Sequence, residues 1–289
     1  MAASHSDQTE DRGWLQCGDH QLFACVHLPR SDIRASTIVC SPLFGEGMRN
    51  YRNEVWLARS LACMGIATLR FHYAGTGHSD GAAASLSLSA AVEDSVELLD
   101  RLVMTTGAST AVVVGTRLGA AIATELAVMR ESPAIVMWDP VVDGQQYLQE
   151  QSRWVAIARL AASDVGRRGA NTATHRPAAG EVTDVIGYPM NAGLRDEIAA
   201  VDLRQTEWPS RAAVLVVEAT PEPDLTPQAA QAVDLWRGAG VDVRALHIPR
   251  EEGFWFVGDS WVRQRHDPVS RQLIEGTTRW LYERADSWI

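Results

Sequence analysis

The sequence predicts an α/β protein built on a parallel β-sheet with helices on both faces. Short apolar segments rich in β-branched residues recur along the chain, and segments of helical periodicity separate them. Strands that alternate with helices in this way form parallel sheets buried on both faces. With 289 residues, 46% of them hydrophobic, the chain can form one large domain or a core domain with an insertion.

The predicted elements run in a simple order. Residues 1–13 are polar and are predicted to form a flexible tail. A β-hairpin follows, with strands at Trp14–Cys17 and Leu22–Leu28 and a turn at Gly18-Asp19-His20. Six apolar segments predict the remaining strands: Ser36–Ser41, Ala67–Phe71, Ala111–Val114, Ala134–Trp138, Arg211–Glu218 and Val241–His247. Five segments predict the helices of the core: Glu54–Met64, Leu88–Thr105, Leu118–Arg130, Pro227–Gly238 and Pro268–Ala285.

One interval interrupts the alternation. Residues 143–209 have helical patterns at Gln145–Ala162 and Asn191–Val201, a loop-like segment at Ala162–Gly187 and no good strand. We interpret the interval as a lid over the carboxyl edge of the sheet. It divides the predicted core into residues 14–142 and 210–289.

Composition excludes several functions. All 26 basic residues are arginine, so neither a lysine Schiff base nor a lysine-containing P-loop is available. A net charge of −10 argues against a nucleic-acid partner. No apolar segment is long enough to span a bilayer. The cysteines have no metal-site spacing and are interpreted as buried thiols of a cytoplasmic protein: Cys17, Cys25, Cys40 and Cys63. We predict no metal and no cofactor.

Three stretches of loop sequence resemble one superfamily. Pro42-Leu43-Phe44-Gly45-Glu46 follows the first parallel strand, and Phe71–Gly81 (FHYAGTGHSDG) is similar to a turn of the form D-x-R-G-x-G-x-S. The segment 115–119 (GTRLG) joins a strand to a helix, as the nucleophile elbow G-x-S-x-G does. In this order, the three stretches resemble the α/β hydrolases. The resemblance implies a sheet of about eight strands, an oxyanion loop at residues 42–46 and a helical lid inserted after Trp138.

Further stretches resemble a narrower group. They are similar to the serine aminopeptidase-like branch and, within it, to the hydrolases associated with exosortase A gene clusters. The resemblance covers roughly Leu15–Leu281 and implies a fold and a pocket. The stretches are Phe44-Gly45-Glu46, residues 115–119, Asp139–Gly144, Ile186–Pro189 and Phe254-Trp255.

The elbow departs from the hydrolase pattern at its central position. Arg117 stands there, and its guanidinium stays protonated, so it cannot act as a nucleophile. Three nearby side chains are alternatives. Cys40 and Ser41 end the first parallel strand and could reach the pocket, whereas Thr116 lies one residue before the tip. Packing within a strand or turn is the more ordinary role of each.

The histidine of the triad has no counterpart at its expected place. There, after the last strand, the sequence reads Arg250–Trp255 without a histidine. His247 is interpreted as a packed strand residue and His266 as an exposed residue before the terminal helix. His72 and His78 flank the glycine-rich turn with a spacing that is poor for a metal site.

The acid position of the triad does have candidates. Asp224 and Glu222 follow the strand that ends at Glu218, which is where the resemblance places the acid. Asp139 follows the preceding strand and is a further candidate. Without a histidine to orient, any of these carboxylates could instead pair with Arg117.

Arg117 in the first turn of a helix opposes the helix dipole and therefore requires an anion. The resemblance places beside it the backbone N–H of Leu118 and that of Leu43 or Phe44, which bind an oxyanion in active hydrolases. Either a substrate anion or a protein carboxylate can fill such a site. Aromatic side chains are expected to line the pocket and lid, namely Trp138, Trp154, Trp255 and Trp261.

Three hypotheses about function follow. The first is an atypical enzyme, part of a biosynthetic pathway, in which Arg117 anchors a small anionic, acyl, ester or thioester metabolite for Glu46 or Asp139 to act on. The second is a binding protein without turnover, in which a carboxylate such as Glu46 pairs with Arg117. The third is a hydrolase or acyltransferase with a displaced nucleophile at Cys40 or Ser41. The expected partner is a small molecule, and a homo-oligomer is compatible with the sequence.

Overall fold

The computed structural model describes residues 8–165, 183–250 and 268–285. Ten strands lie within these ranges: β1 (Gln8–Cys17), β2 (His20–Pro29), β3 (Ala35–Cys40), β4 (Ile66–Phe71), β5 (Ala111–Thr116), β6 (Ala134–Trp138), β7 (Thr183–Val185), β8 (Tyr188–Met190), β9 (Ala213–Thr220) and β10 (Asp242–Pro249). The described α-helices are α1 (Phe44–Ala62), α2 (Leu88–Thr106), α3 (Gly119–Met129), α4 (Gly144–Val165), α5 (Ala192–Ala200), α6 (Pro227–Gly238) and α7 (Pro268–Ala285).

Eight of the strands form one mostly parallel sheet, which confirms the predicted fold class. Their order is β1-β2-β4-β3-β5-β6-β9-β10. The β1–β2 and β2–β4 pairs are antiparallel, and all the other pairs are parallel. Because the parallel strands run in one direction, the loops after β3, β5, β6 and β9 meet at a single carboxyl edge, where this class of sheet binds its ligands.

The opening hairpin is confirmed, but the predicted tail was too long. The strand β1 begins at Gln8 and pairs along its whole length with β2, from Gln8 opposite Pro29 to Cys17 opposite His20. Residues 8–13 are therefore part of the sheet, because backbone pairing with β2 outweighs their polar composition. Residues 1–7 lie outside the described residues.

The central strands are buried on both faces, which explains their continuous apolar sequence. Successive side chains point to opposite faces, so Ile38 packs in the core shared with α2 and α3, while Val39 packs in the core shared with α1 and α7. The same alternation sends Val113 to the first core and Val114 to the second. The sheet is therefore covered by helices on both sides, as predicted.

The first helix is longer than its apolar pattern indicates. The predicted segment began at Glu54, whereas α1 begins at Phe44. Its first turns bury a polar row, Glu46, Asn50, Asn53 and Glu54, against the sheet edge. A search for apolar periodicity misses such a face. This row carries much of the candidate site.

Residues 143–209 contain the two predicted helical regions as α4 and α5. The prediction of no strand was wrong, because β7 and β8 pair as a two-stranded antiparallel sheet at the end of the predicted loop. Residues 166–182 lie outside the described residues. Gly144 starts α4 where an added Cβ would lie 1.6 Å from the carbonyl oxygen of Ile198, so only glycine permits this packing on α5. Division of the chain into a core and a lid stays a prediction.

Within the ranges that the structure describes, no helix is both long and apolar enough to cross a membrane.

Candidate functional site

The segment 115–119 has the geometry of a nucleophile elbow. The strand β5 ends at Thr116, α3 begins at Gly119, and Arg117 between them has a φ of 51°. A positive φ at a non-glycine residue is strained and marks a constrained turn. A Cβ on Gly115 would lie 2.6 Å from the Cα of Ala120, and a Cβ on Gly119 would lie 2.3 Å from the carbonyl oxygen of Cys40. Both glycines are therefore required by the close approach of α3 to its neighbours.

The guanidinium of Arg117 is held by protein carboxylates. Its Nε donates to Oε1 of Glu46 over 3.3 Å, and its Nη2 lies 3.6 Å from Oε2 of Glu150 on α4. Nη1 donates to the backbone carbonyl of Asp139 over 3.4 Å, and the guanidinium carbon lies 5.5 Å from the ring centroid of Tyr147. Only 13% of the Arg117 side chain is exposed. The anion that the helix dipole requires is thus supplied from within the chain.

Glu46 is the buried partner in this network. Its carboxylate accepts from the hydroxyl of Tyr147 and from Nε2 of Gln151, each over 3.3 Å. Burial raises the pKa of Glu46 above its ordinary value, and the charge of Arg117 acts in the opposite direction. Burial also disfavours the charge on Arg117, but the carboxylates of Glu46 and Glu150 outweigh it and raise the pKa of Arg117. The cation is therefore permanent, and α4 closes over it.

Asp139 contributes to the elbow through its backbone. The carbonyl oxygen of Asp139 accepts a hydrogen bond from Arg117, and the backbone of Asp139 is strained, with a φ of 43°. Its carboxylate accepts from the backbone N–H of Ala219 over 2.6 Å and so links the ends of β6 and β9. The structure thus places the side chain of Glu46 and the backbone carbonyl of Asp139 against the guanidinium of Arg117.

The predicted acid Asp224 does not reach the elbow. Asp224 and Glu222 are exposed, and only their backbone carbonyls accept from the Thr220 hydroxyl, each over 3.3 Å. The buried carboxylate in this region is Glu218, which accepts from the backbone N–H and hydroxyl of Thr226 over 2.7 and 2.8 Å. Thr226 is the N-cap of α6, so Glu218 holds the residue at which that helix begins. Sequence reasoning missed Glu218 because it ends a strand pattern.

Burial raises the pKa of Glu218 to about 7, and the neighbouring charge of Asp139 acts in the same direction. His247 in β10 bonds through Nε2 to the hydroxyl of Thr220 over 3.1 Å. It is half-buried in β10, as expected of a packed strand residue. His266, Trp255 and Trp261 lie outside the described residues.

The three alternative nucleophiles differ in their surroundings. Thr116 is fully buried and accepts from Nδ2 of Asn50 over 3.2 Å. Cys40 is fully buried, and burial raises its pKa to about 12. Ser41 is half-buried, and its hydroxyl donates to Oε2 of Glu54 over 2.9 Å. Of the three, only Ser41 combines access with a potential base, since burial raises the pKa of the Glu54 carboxyl.

A cavity of about 750 Å³ lies beside the loop that follows β3. Ser41, Leu43 and Phe44 of the predicted oxyanion loop form one wall, and Tyr188 of β8 closes over it with its ring 6.5 Å from that of Phe44. The other walls include four aromatic side chains: Phe23, Tyr51, Phe71 and Tyr73. The polar side chains in the lining are Ser41, Glu54, Arg70, His72, Thr76 and His78.

This cavity is separate from the arginine of the elbow. Neither Arg117, Glu46 nor Asp139 is among its lining residues. Leu118 is fully buried at the start of α3 and does not line it either. Among the described residues, the predicted anion site and this cavity therefore do not coincide, although α1 contributes Glu46 to the first and Glu54 to the second.

The predicted role of Trp138 in lining the pocket is wrong. Its indole is fully buried in the core on the α7 side, and its N–H donates to the hydroxyl of Thr277 over 2.8 Å. The alternation of β6 points its side chain away from the elbow. Trp154 is half-buried on α4 and is not among the residues that line the cavity.

One group of described residues has the donors for a metal site. Oxygen, sulfur and nitrogen atoms of Glu10, Cys25 and His27 lie within 4.8 Å of one another. However, Glu10 already pairs with Arg59 over 2.6 Å, and Arg70 donates through Nε to Nε2 of His27 over 3.3 Å. Two guanidinium groups at this point oppose a cation, so the residues do not fit a metal.

The sheet order, the strained elbow and the helices on both faces define an α/β-hydrolase fold. By family, the chain belongs to the serine aminopeptidases, S33, whose family model matches residues 33–179, just over half of the chain. Among curated proteins, none matches this chain in sequence.

Solved structures share the fold over nearly the whole chain. Est1E from Butyrivibrio proteoclasticus with bound ferulic acid has 14% identity and a TM-score of 0.68, covering 95% of this chain and 99% of its own. A soluble variant of monoglyceride lipase from Saccharomyces cerevisiae, in complex with a substrate analogue, has 13% identity and a TM-score of 0.63, covering 97% of both chains. At such identities, the likeness shows the fold alone.

Proposed function

We propose that this chain is a small-molecule-binding protein on an α/β-hydrolase fold, without a Ser-His-Asp triad. The observation that carries the proposal is the ion pairing of Arg117 with Glu46 and Glu150 at the tip of the elbow. In the related fold, that tip carries the nucleophile. Here it carries a cation that is already neutralised and largely buried. The site therefore provides neither a nucleophile nor a vacant anion site.

The cavity beside the oxyanion loop is the binding site in this proposal. Its volume of about 750 Å³ is in the range of ligand pockets, and its aromatic walls favour an acyl or aromatic body. Tyr188 closes over it from β8, so residues of the predicted lid complete it. A role in a biosynthetic pathway, and the narrower resemblance to exosortase-associated hydrolases, remain predictions from the sequence.

A second candidate function rests on Ser41. Its hydroxyl donates to the buried carboxylate of Glu54, and both residues line the cavity. In a hydrolase of this kind, Oγ of Ser41 attacks an ester carbonyl while its proton passes to Glu54. The ester C–O bond then breaks, the leaving alkoxide takes that proton, and water hydrolyses the acyl-serine. The same alternative at Cys40 is disfavoured by its full burial and its pKa of about 12.

Turnover and covalent labelling distinguish these functions. The assay measures hydrolysis of a panel of p-nitrophenyl esters and acyl thioesters, together with labelling by a fluorophosphonate probe. The proposal predicts rates equal to those of buffer and no labelling. The matched variants are Ser41→Ala, Arg117→Met and, as a control, Ser152→Ala, which changes an exposed serine of α4.

Each alternative has its own signature in this experiment. Turnover and labelling that disappear in Ser41→Ala but persist in Ser152→Ala would establish the Ser41 hydrolase. Turnover that disappears in Arg117→Met while the variant stays folded would establish an enzyme that uses Arg117 as its anchor. Either result would overturn the proposal of a binding protein.

A further inference from the structure

The cavity contains a cation, Arg70, on which the carboxylates of Glu54 and Glu10 act only at longer range. Arg70 is only 7% exposed and lines the cavity. Its Nε donates to Nε2 of His27 over 3.3 Å, and the Cys25 thiol is also within its hydrogen-bonding reach. Within the described parts of the chain, no carboxylate forms an ion pair with it. A buried charge without a paired ion is costly and marks a functional position.

The guanidinium of Arg70 is held in place rather than free to move. Its central carbon lies 5.0 Å from the ring centroid of Tyr51, which gives a cation–π contact on one side. The bond from Nε to His27 fixes the other end of the group. A planar guanidinium held in this way is prepared for two parallel hydrogen bonds to a carboxylate.

Arg70 therefore differs from Arg117 in the respect that matters. Two carboxylates already neutralise Arg117, one of them fully buried, whereas Arg70 faces an open cavity. The nearest acid that acts on Arg70 within the cavity is Glu54, which is engaged with Ser41 and Asn50. The sequence predicted an anion site at Arg117 in the elbow. In the structure, Arg70 of β4 is the arginine that lines the cavity.

We propose that the cavity binds a carboxylate with an aromatic or acyl body, and that Arg70 anchors the carboxylate group. This inference rests on the proposed function, because it names the chemical class of the ligand for the same cavity. The aromatic walls accommodate the apolar body, and Arg70 at the end of β4 pairs with the charged end. A singly charged group fits better than a phosphate dianion, because Glu54 would repel the second charge.

Calorimetric titration with matched ligand pairs tests the proposal. The probes are benzoate, cinnamate, octanoate and dodecanoate, each compared with the alcohol of the same carbon skeleton. We expect at least one carboxylate to bind in the micromolar range and at least tenfold more tightly than its alcohol. Arg70→Met should weaken that carboxylate roughly tenfold to a hundredfold and leave the alcohol within about threefold.

Two further variants keep the test independent of folding defects. Glu54→Gln removes the repelling charge and should tighten carboxylate binding severalfold without affecting the alcohol. Arg130→Met, which changes an exposed arginine that does not line the cavity, should leave both affinities unchanged. Each variant is judged by the ratio of the dissociation constants for the carboxylate and its alcohol. A folding defect that weakens both ligands equally leaves this ratio unchanged.

The proposal is wrong if no carboxylate of the panel binds, or if Arg70→Met and Glu54→Gln leave the ratio of carboxylate to alcohol unchanged. It is also wrong if Arg117→Met, and not Arg70→Met, removes the preference for the carboxylate. If the alcohols bind as tightly as the carboxylates, the proposed binding function of the cavity stands, but the proposal that Arg70 anchors a carboxylate is rejected. Ester turnover, in contrast, would reject the proposed function.

Discussion

Replacing Arg117 with methionine should destabilise the fold through the charge that it leaves behind. Methionine approximates the volume of the arginine stem but removes the cation. Glu46 is 2% exposed and would remain on α1 with only Tyr147 and Gln151 as donors. Removing one partner of a buried ion pair costs about 3–5 kcal/mol. The long Arg117–Glu46 distance of 3.3 Å and the remaining donors place the expected cost at the lower end, near 3 kcal/mol.

The loss of stability caused by Arg117→Met should depend on pH, and the titration of Glu46 determines whether it grows or shrinks as the pH rises. Burial already raises the pKa of Glu46 above its value in the unfolded chain, and Arg117 counteracts this rise. Without Arg117, the folded pKa rises further. A group with a raised folded pKa contributes stability at low pH that is lost as the pH rises through that pKa. Arg117→Met should therefore be more destabilising at pH 8 than at pH 5.

Urea unfolding followed by tryptophan fluorescence at the two pH values measures this effect. The matched control is Arg130→Met, which breaks an exposed pair with Asp100 and should cost less than about 1 kcal/mol at either pH. The double variant Arg117→Met/Glu46→Gln should regain much of the loss, because both charges are gone. A cost for Arg117→Met equal to that of Arg130→Met, or independent of pH, would refute the buried ion pair.

Three further predictions concern residues near the site. Burial raises the pKa of Glu218 to about 7 in the folded protein, so the free energy of unfolding should fall by roughly 3 kcal/mol as the pH rises from about 4.5 to 7. Glu218→Gln should remove this fall, and an unchanged pH profile in the variant would contradict the prediction. Cys40 should resist iodoacetamide at pH 7.5 in the folded protein and react after unfolding, as read by peptide mass spectrometry, since its pKa is about 12; rapid native labelling would contradict its burial. Gly119→Ala should lower the free energy of unfolding in urea by roughly 1–3 kcal/mol, because the added Cβ would lie 2.3 Å from the carbonyl oxygen of Cys40. Gly238→Ala, where a Cβ would meet no atom within 4 Å, should be neutral or stabilising. Equal effects of the two substitutions would contradict the close packing of α3.

The fold could be predicted because its signals are local. Each parallel strand is a short apolar segment, and caps such as Ser87 before α2 and Thr226 before α6 mark where helices begin. The elements that sequence reasoning missed lack those signals. The first turns of α1 bury a polar face, and β1 is a polar strand that depends on its pairing with β2.

The candidate site could be predicted only in part. The elbow motif located Arg117, and the neighbouring loops located Glu46 and Asp139, because motif spacing reports which sheet edge a residue occupies. Which carboxylate pairs with Arg117 depends on α4, which supplies Glu150 from a distant part of the chain. The position of Arg70 in the cavity was equally hidden, because an arginine within an apolar strand gives no indication of whether a partner faces it.

A crystal structure of the protein at saturating cinnamate tests the central claim most directly. We expect that Arg117 keeps its contacts with Glu46 and Glu150, and that the carboxylate of cinnamate lies against Arg70 in the cavity beside β4. A cinnamate carboxylate bound to Arg117, with Glu46 displaced from the guanidinium, would show that the elbow, and not Arg70, is the anion site.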